Sequence, residues 1–162
     1  MSTARPGPAP AVTALVRGGV EFTLHPYDLV EYDDGAELAE LLDVEEERVV
    51  EAVVVEAGGR AAMCLVVAGD ELDEEAVGTA LGAPARIVLE SVAERVTGHP
   101  ADAVSPFGTR RRLPALVDAG VADLGPATTV IVPSGQAGLA VEVRLSDLLR
   151  VTEARRANIV SA

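Results

Sequence analysis

Two places in this sequence carry residues whose type and setting suggest chemistry. Glu51 follows Val49-Val50 and alternates with Val53 and Val55, so it shares their face of an expected strand. If that face lines a pocket, the carboxylate is partly desolvated and its pKa rises; if it faces solvent, Glu51 is an ordinary surface charge. The second place is the stretch from Gly98 to Leu113, which carries Gly98, Pro100, Pro106 and Gly108 and runs into Arg110-Arg111-Arg112. A connection of about 15 residues in a compact domain is more often functional than decorative. Its glycines and prolines can set backbone amides toward a carbonyl or a phosphate. A well-packed surface connection is the plain alternative.

Other residues have simpler readings. Three adjacent arginines suit bidentate phosphate recognition, but such a triplet is also a common solvated patch. Ser134-Gly135-Gln136-Ala137-Gly138 reads as a hairpin turn, since a phosphate cradle needs more amides and a following helix. His25 and His99 are isolated and not at metal-ligand spacing. Asp28, Asp33 and Asp34 lack the spacing of a calcium loop, and Glu45 to Glu47 fits a solvated turn or helix start. Cys64, alone in an apolar run, reads as a buried structural thiol, and no metal or cofactor is expected. No nucleophile elbow, zinc-helix motif or dinucleotide fingerprint occurs.

Composition narrows the choices. The 162 residues favour one domain, and 49% hydrophobic content opposes disorder. All 13 basic residues are arginine, against 26 acidic ones, for a formal net charge of −13. Without lysine there is no Schiff-base chemistry and no Walker-type phosphate grip. Aromatics are limited to Phe22, Tyr27, Tyr32 and Phe107, too few for a base-stacking platform. Acidity opposes non-specific contact with nucleic acid, so DNA is not an expected partner. No apolar run approaches the roughly 20 residues of a membrane helix, and no signal peptide is visible, so a cytoplasmic protein without membrane contact is expected.

The elements that must position these residues are legible in outline. Residues 1–10 read as a flexible, Pro-rich arm and 11–162 as one domain. Helices are expected over Ala11 to Arg17, Ala36 to Leu42, Asp73 to Leu81, from the Ser91/Glu94 capping-box spacing to Gly98, and over Asp147 to Val151 capped by Ser146. Strands are expected over Val20 to Leu24, Arg48 to Glu56, Ala61 to Ala68, Ala85 to Leu89, Thr128 to Val132, Leu139 to Val143 and Ala157 to Val160, with turns at Asp33-Asp34-Gly35 and Ala57 to Arg60. The mixture, with its tight strand-to-strand turns, favours an α+β fold around a mixed sheet over a doubly wound one.

In order along the chain, several stretches resemble the YbaK/ProX family of aminoacyl-tRNA deacylases: Phe22 to Tyr27, Val44 to Val55, Leu72 to Gly82, Thr97-Gly98, Val104 to Gly108, Arg112-Leu113-Pro114, Ser134 to Gly138 and Asp147 to Leu149. The resemblance implies a single YbaK-like α+β domain that binds the 3′ end of a mischarged tRNA and hydrolyses its aminoacyl ester. An aminoacyl-tRNA synthetase is a further partner it admits. It implies that Tyr27 is the pocket tyrosine, that Val104, Ser105, Pro106 and Gly108 end a loop whose amides face the aminoacyl carbonyl, and that Gly135 and Gly138 belong to a second, substrate-binding turn. No side-chain nucleophile is implied.

Two positions depart from the family pattern. A lysine that helps hold the tRNA end falls on Glu51, and the paired loop glycines fall on Asp102 and Ala103. A carboxylate about 5 Å from a phosphate, at an effective dielectric of about 20, repels it by roughly 3 kcal/mol. Side chains at 102 and 103 add a Cβ where positive φ or close approach is expected. Glu51, Asp102 and Ala103 are therefore the catalytic candidates, with Arg110, Arg111 and Arg112 as a rim for the tRNA. Glu51 would contact the substrate amino group or orient the attacking water. A non-catalytic module of the same fold, binding a small cationic or amino-acid-like ligand, is the alternative. A protein-interaction role for the arm or the arginine triplet is the third reading.

Overall fold

The computed structural model describes residues 9–28 and 35–161. Residues 1–8 of the expected arm, Tyr32 and the Asp33-Asp34 turn fall outside them. Ala9 is buried and Pro10 opens the first helix, α1 (Pro10–Arg17), which turns Ala11 and Leu15 into the core. After it come β1 (Thr23–Pro26), α2 (Gly35–Leu42), a short 3-10 turn (Glu46–Arg48), β2 (Val50–Ala57) and β3 (Arg60–Val67). The remainder is α3 (Glu74–Leu81), β4 (Ala85–Ile87), α4 (Glu90–Thr97), β5 (Ala115–Asp118), α5 (Ala119–Ala122), β6 (Thr129–Pro133), β7 (Leu139–Arg144), α6 (Leu145–Thr152) and β8 (Arg155–Ala157).

The strands form a mixed five-stranded sheet, β4-β2-β3-β5-β8, and an antiparallel three-stranded one, β1-β7-β6. A parallel bridge between Val49 and Ile131 connects them. The β2–β3 hairpin is the centrepiece, closed by Gly58 and Gly59 at φ of 59° and 80°, the pair of positive values that a tight hairpin turn demands. Alternation on β2 separates two cores. Val50 and Val54 join Met63, Leu65, Phe107 and Leu148 on one side, whereas Val53 and Val55 join Cys64, Val66, Val77 and Ile159 on the other. Cys64 is wholly buried, and burial pushes its thiol up to about 12.

Several elements differ from the sequence reading. The strand expected over Val20 to Leu24 forms instead at Thr23–Pro26, where it can pair with β7. Leu89, not Ser91, caps α4, and no side chain accepts its first amides, while Glu94 reaches the Ala101 amide at 2.9 Å. Ser146 lies inside α6, whose cap is Arg144. The closing strand is Arg155–Ala157, and Val160 makes only an isolated bridge to Leu72. β5 and α5 were not expected. They are tied to the C-terminus by buried Asp118, which accepts from the Gly120 and Ile159 amides at 2.8 and 3.0 Å.

Candidate active site

The segment after α4 is a clamped loop. Thr97 starts it, donating its hydroxyl to Ala93 O at 2.7 Å and accepting the His99 amide at 3.1 Å. His99 is 2% exposed and holds both ends of the turn that follows. Its Nδ1 accepts the Ser105 amide at 3.1 Å, which fixes the proton on Nε2, and Nε2–H donates to Gly108 O at 3.0 Å. Burial lowers the His99 pKa, only partly opposed by the bond to Gly108. Ser105 Oγ accepts the Phe107 amide at 3.1 Å, and Val104 and Phe107 are anchored in the core.

Other elements close around this loop. At Gly108, φ is +72° and an added Cβ would stand 2.3 Å from Pro10 O, so only glycine lets α1 begin here. Ala11 donates its amide to Ser134 O at 3.0 Å, and Gly135 donates to Ala103 O at 2.9 Å. Tyr27 donates its amide to Gly138 O at 2.9 Å, bringing the end of β1 onto the same β6–β7 turn. The structure thus joins the expected loop residues Val104, Ser105, Pro106 and Gly108 with Gly135, Gly138 and Tyr27. Pro106 and Gly108 also border a cavity of about 240 Å³ with Met63 and Leu113.

The glycine substitutions within the loop do not strain it. Neither Asp102 nor Ala103 has a positive φ, contrary to expectation, because Ala103 packs inward at 1% exposure and its amide bonds to Pro100 O at 2.9 Å. The Ala101 and Ala103 amides have acceptors, but among the described residues nothing accepts from the Asp102 or Val104 N–H. Asp102 is exposed, so its amide meets water, whereas an open amide at buried Val104 is uncommon. Val104 is 6% exposed, so this opening lies in a nearly dry place.

Glu51 lies on the face of β2 shared with Val53 and Val55, opposite the face that packs on Val104 and Phe107. It is half-buried. Burial first, and repulsion from Asp70 second, raise its pKa. No arginine pairs with it among the described residues. No hydrogen bond or ion pair joins it to Asp102 or Ala103; the link runs through β6, from the Val49–Ile131 bridge to Gly135 and on to Ala103. Asp70, rather than Asp102, is the acidic neighbour that matters to Glu51.

The arginine triplet does not form one island. The Arg110 side chain lies over Gly98, Arg111 lines a groove beside α4, and Arg112 pairs with Glu153 at 3.1 Å. His99, Thr97 and Asp70 were not singled out for these roles by the sequence. The signal for His99 was its position between Gly98 and Pro100, where a buried side chain in a loop of small residues needs polar partners. Among the described residues, no cluster of three His, Cys, Asp or Glu side chains could hold a metal, and no helix is long and apolar enough to cross a membrane.

The candidate site is thus a clamped loop set against a hairpin turn, on a mixed-sheet framework. The chain belongs to the family described as the aminoacyl-tRNA editing domain, whose model matches residues 31–151. Its fold is shared with a proposed trans-editing enzyme for prolyl-tRNA synthetase, at 22% identity and a TM-score of 0.84 over 94% of this chain and 96% of that one. A hypothetical protein, APE2540, superposes with a TM-score of 0.83 at 20% identity, over 94% and 99% of the two chains. A signal-transduction protein candidate from Marinobacter aquaeolei carries a related unit in 30% of its length, covering 94% of this chain at 16% identity and a TM-score of 0.69.

Proposed function

We propose that this protein hydrolyses mischarged aminoacyl-tRNA in trans, cleaving the ester between the aminoacyl carbonyl and the 3′ ribose. The observation that carries this reading is the open amide at buried Val104, in a loop held rigid by His99. In the reaction, water adds to the ester carbonyl, the oxygen gains negative charge, and the ribose oxygen leaves with a proton. A fixed N–H donor such as that of Val104, placed at that oxygen, stabilises the charge as it develops, without reorganising. The water supplies the nucleophile, so the inertness of Cys64 costs nothing.

Glu51 takes a different part from the lysine that the family places there. An unpaired carboxylate beside Asp70 attracts a cation, and the substrate offers one in its α-ammonium group. Glu51, on the other face of β2 from the loop, therefore favours the free amine of the aminoacyl group through its negative charge rather than by contact with the loop. Phosphate contact passes to Arg110, which lies at the loop's start. Tyr27 and the Gly135–Gly138 turn form the opposite wall, and an aminoacyl-tRNA synthetase is the natural supplier of the substrate. The test is to incubate the purified protein with a panel of mischarged tRNAs and follow release of the amino acid. Hydrolysis of at least one well above the no-enzyme rate is expected. No acceleration on any, while a lysine-bearing relative succeeds in parallel, refutes the reading. Retention of amines by an inactive protein would favour the non-catalytic alternative.

A further inference from the structure

At the far end of β2 from Glu51, five residues and about 16 Å along the strand, lies a groove of about 650 Å³ that the proposed reaction does not use. Its floor is Val88, Val92 and Val96, with Ile87 and Leu89 on the rim. Leu89 is 75% exposed and Ile87 48%, a high level for adjacent large apolar side chains. Arg86, Arg95 and Arg111 surround them, drawn from β4, α4 and the loop after the clamp. Val92, Arg95 and Val96 share one helical face by their spacing. Arg86 is paired with Glu56 at 3.0 Å, but Arg95 and Arg111 have no carboxylate partner among the described residues. In a chain with 26 acidic residues and net charge −13, two arginines left unpaired beside an apolar rim are a local reversal of the prevailing field.

We propose that this groove docks an acidic amphipathic helix of a partner protein, with a bulky aliphatic side chain entering beside Leu89 and flanking carboxylates meeting Arg95 and Arg111. Charge complementarity sets the sign of the partner. The apolar floor favours a protein over RNA, because a nucleic-acid surface would need stacking aromatics, and among the described residues none of Phe22, Tyr27 or Phe107 lines the groove. An added strand is disfavoured: β4 is the sheet edge, but its Ile87 amide is already taken by Glu74 at 2.6 Å. A helix laid in the groove remains the matching mode.

The test uses the full chain, isotope-labelled, with three probes: a 16-residue amphipathic helical peptide of leucine and glutamate, the same peptide with glutamate replaced by lysine, and an acceptor-stem RNA hairpin. The acidic peptide is expected to shift amide resonances of residues 86–96 and 111, with affinity at least tenfold weaker for Leu89→Asp and for Arg95→Glu/Arg111→Glu. Both changes are on exposed side chains, and unchanged far-ultraviolet circular dichroism verifies the fold. The lysine peptide should not bind. Absence of shifts with the acidic peptide, shifts elsewhere, or binding unaffected by either variant overturns the proposal. So does the RNA hairpin occupying the groove in its place, or sedimentation showing that the chain dimerises through Leu89.

Discussion

Glu142 and Glu51 are both partly buried strand carboxylates, and their surroundings are opposite. Glu142 on β7 is met by His25 at 2.7 Å, by Arg48 at 3.0 Å and by the Thr129 hydroxyl. Burial pushes its pKa up, but the bonds from Thr129 and His25 and the charge of Arg48 outweigh it and bring the value below normal. Arg48 also donates to Thr129 O at 2.7 Å, so this network pins the turn before β2 to the β6–β7 pair. Glu51, three residues after Arg48, has no such partners and a raised pKa. A chain that saturates one carboxylate and leaves the other bare spends stability at the second, which accords with the ligand role proposed for Glu51.

The largest expected effect lies with the saturated groups. His99, like Glu142, has every polar atom of its side chain engaged. His99→Ala leaves the Ser105 amide and Gly108 carbonyl unpaired beside a cavity and is expected to cost about 3 kcal/mol in urea unfolding. Amide exchange at Ser105 should accelerate, and His99→Asn, which can still accept that amide, should restore most of its protection. Next comes Glu142→Ala, expected to cost about 2 kcal/mol because His25 and the Thr129 hydroxyl lose their shared acceptor and Arg48 is left with Glu45, in a site only 21% exposed. A loss below about 0.5 kcal/mol would place it with ordinary surface pairs and dissolve the contrast.

The smallest effect has the opposite sign. Glu51 has a raised folded pKa, so its contribution is present below the unfolded value and is lost as pH rises through the folded one. Glu51→Gln should therefore raise the melting temperature above about pH 5 and give no gain below about pH 4. Glu142 and His99, with depressed values, stabilise at higher pH. The His99 contribution declines as pH falls below about 6.5, and that of Glu142 declines below about 4.5. Melting curves across this range check all three signs.

Much of the framework was legible because it rests on local patterns. The alternation around Glu51, the Gly58-Gly59 turn and the glycine ends of α3 and α4 all read directly from residue type. β5 was not legible, since Ala115–Asp118 is four residues long and parallel to both neighbours, leaving no alternation to detect. The caps at Ser91 and Ser146 failed because core packing of Ala93, Val96, Leu145 and Leu148 sets where those helices begin. In the site, the loop and turn were visible as unusual glycine and proline content, whereas the His99 clamp and the Asp70 neighbour depend on contacts across sequence that no spacing encodes. The arginine triplet shows the limit most simply: three adjacent residues go to three different places.

The contrast between Glu51 and Glu142 is tested most directly by comparing hydrolysis of a mischarged aminoacyl-tRNA with that of its N-acetylated form, in wild type and in Glu51→Gln. The wild-type protein is expected to prefer the free amine by at least tenfold, chiefly through KM, and Glu51→Gln is expected to lose that preference while still cleaving the ester. Equal hydrolysis of both substrates by the wild-type protein would contradict the role assigned to Glu51.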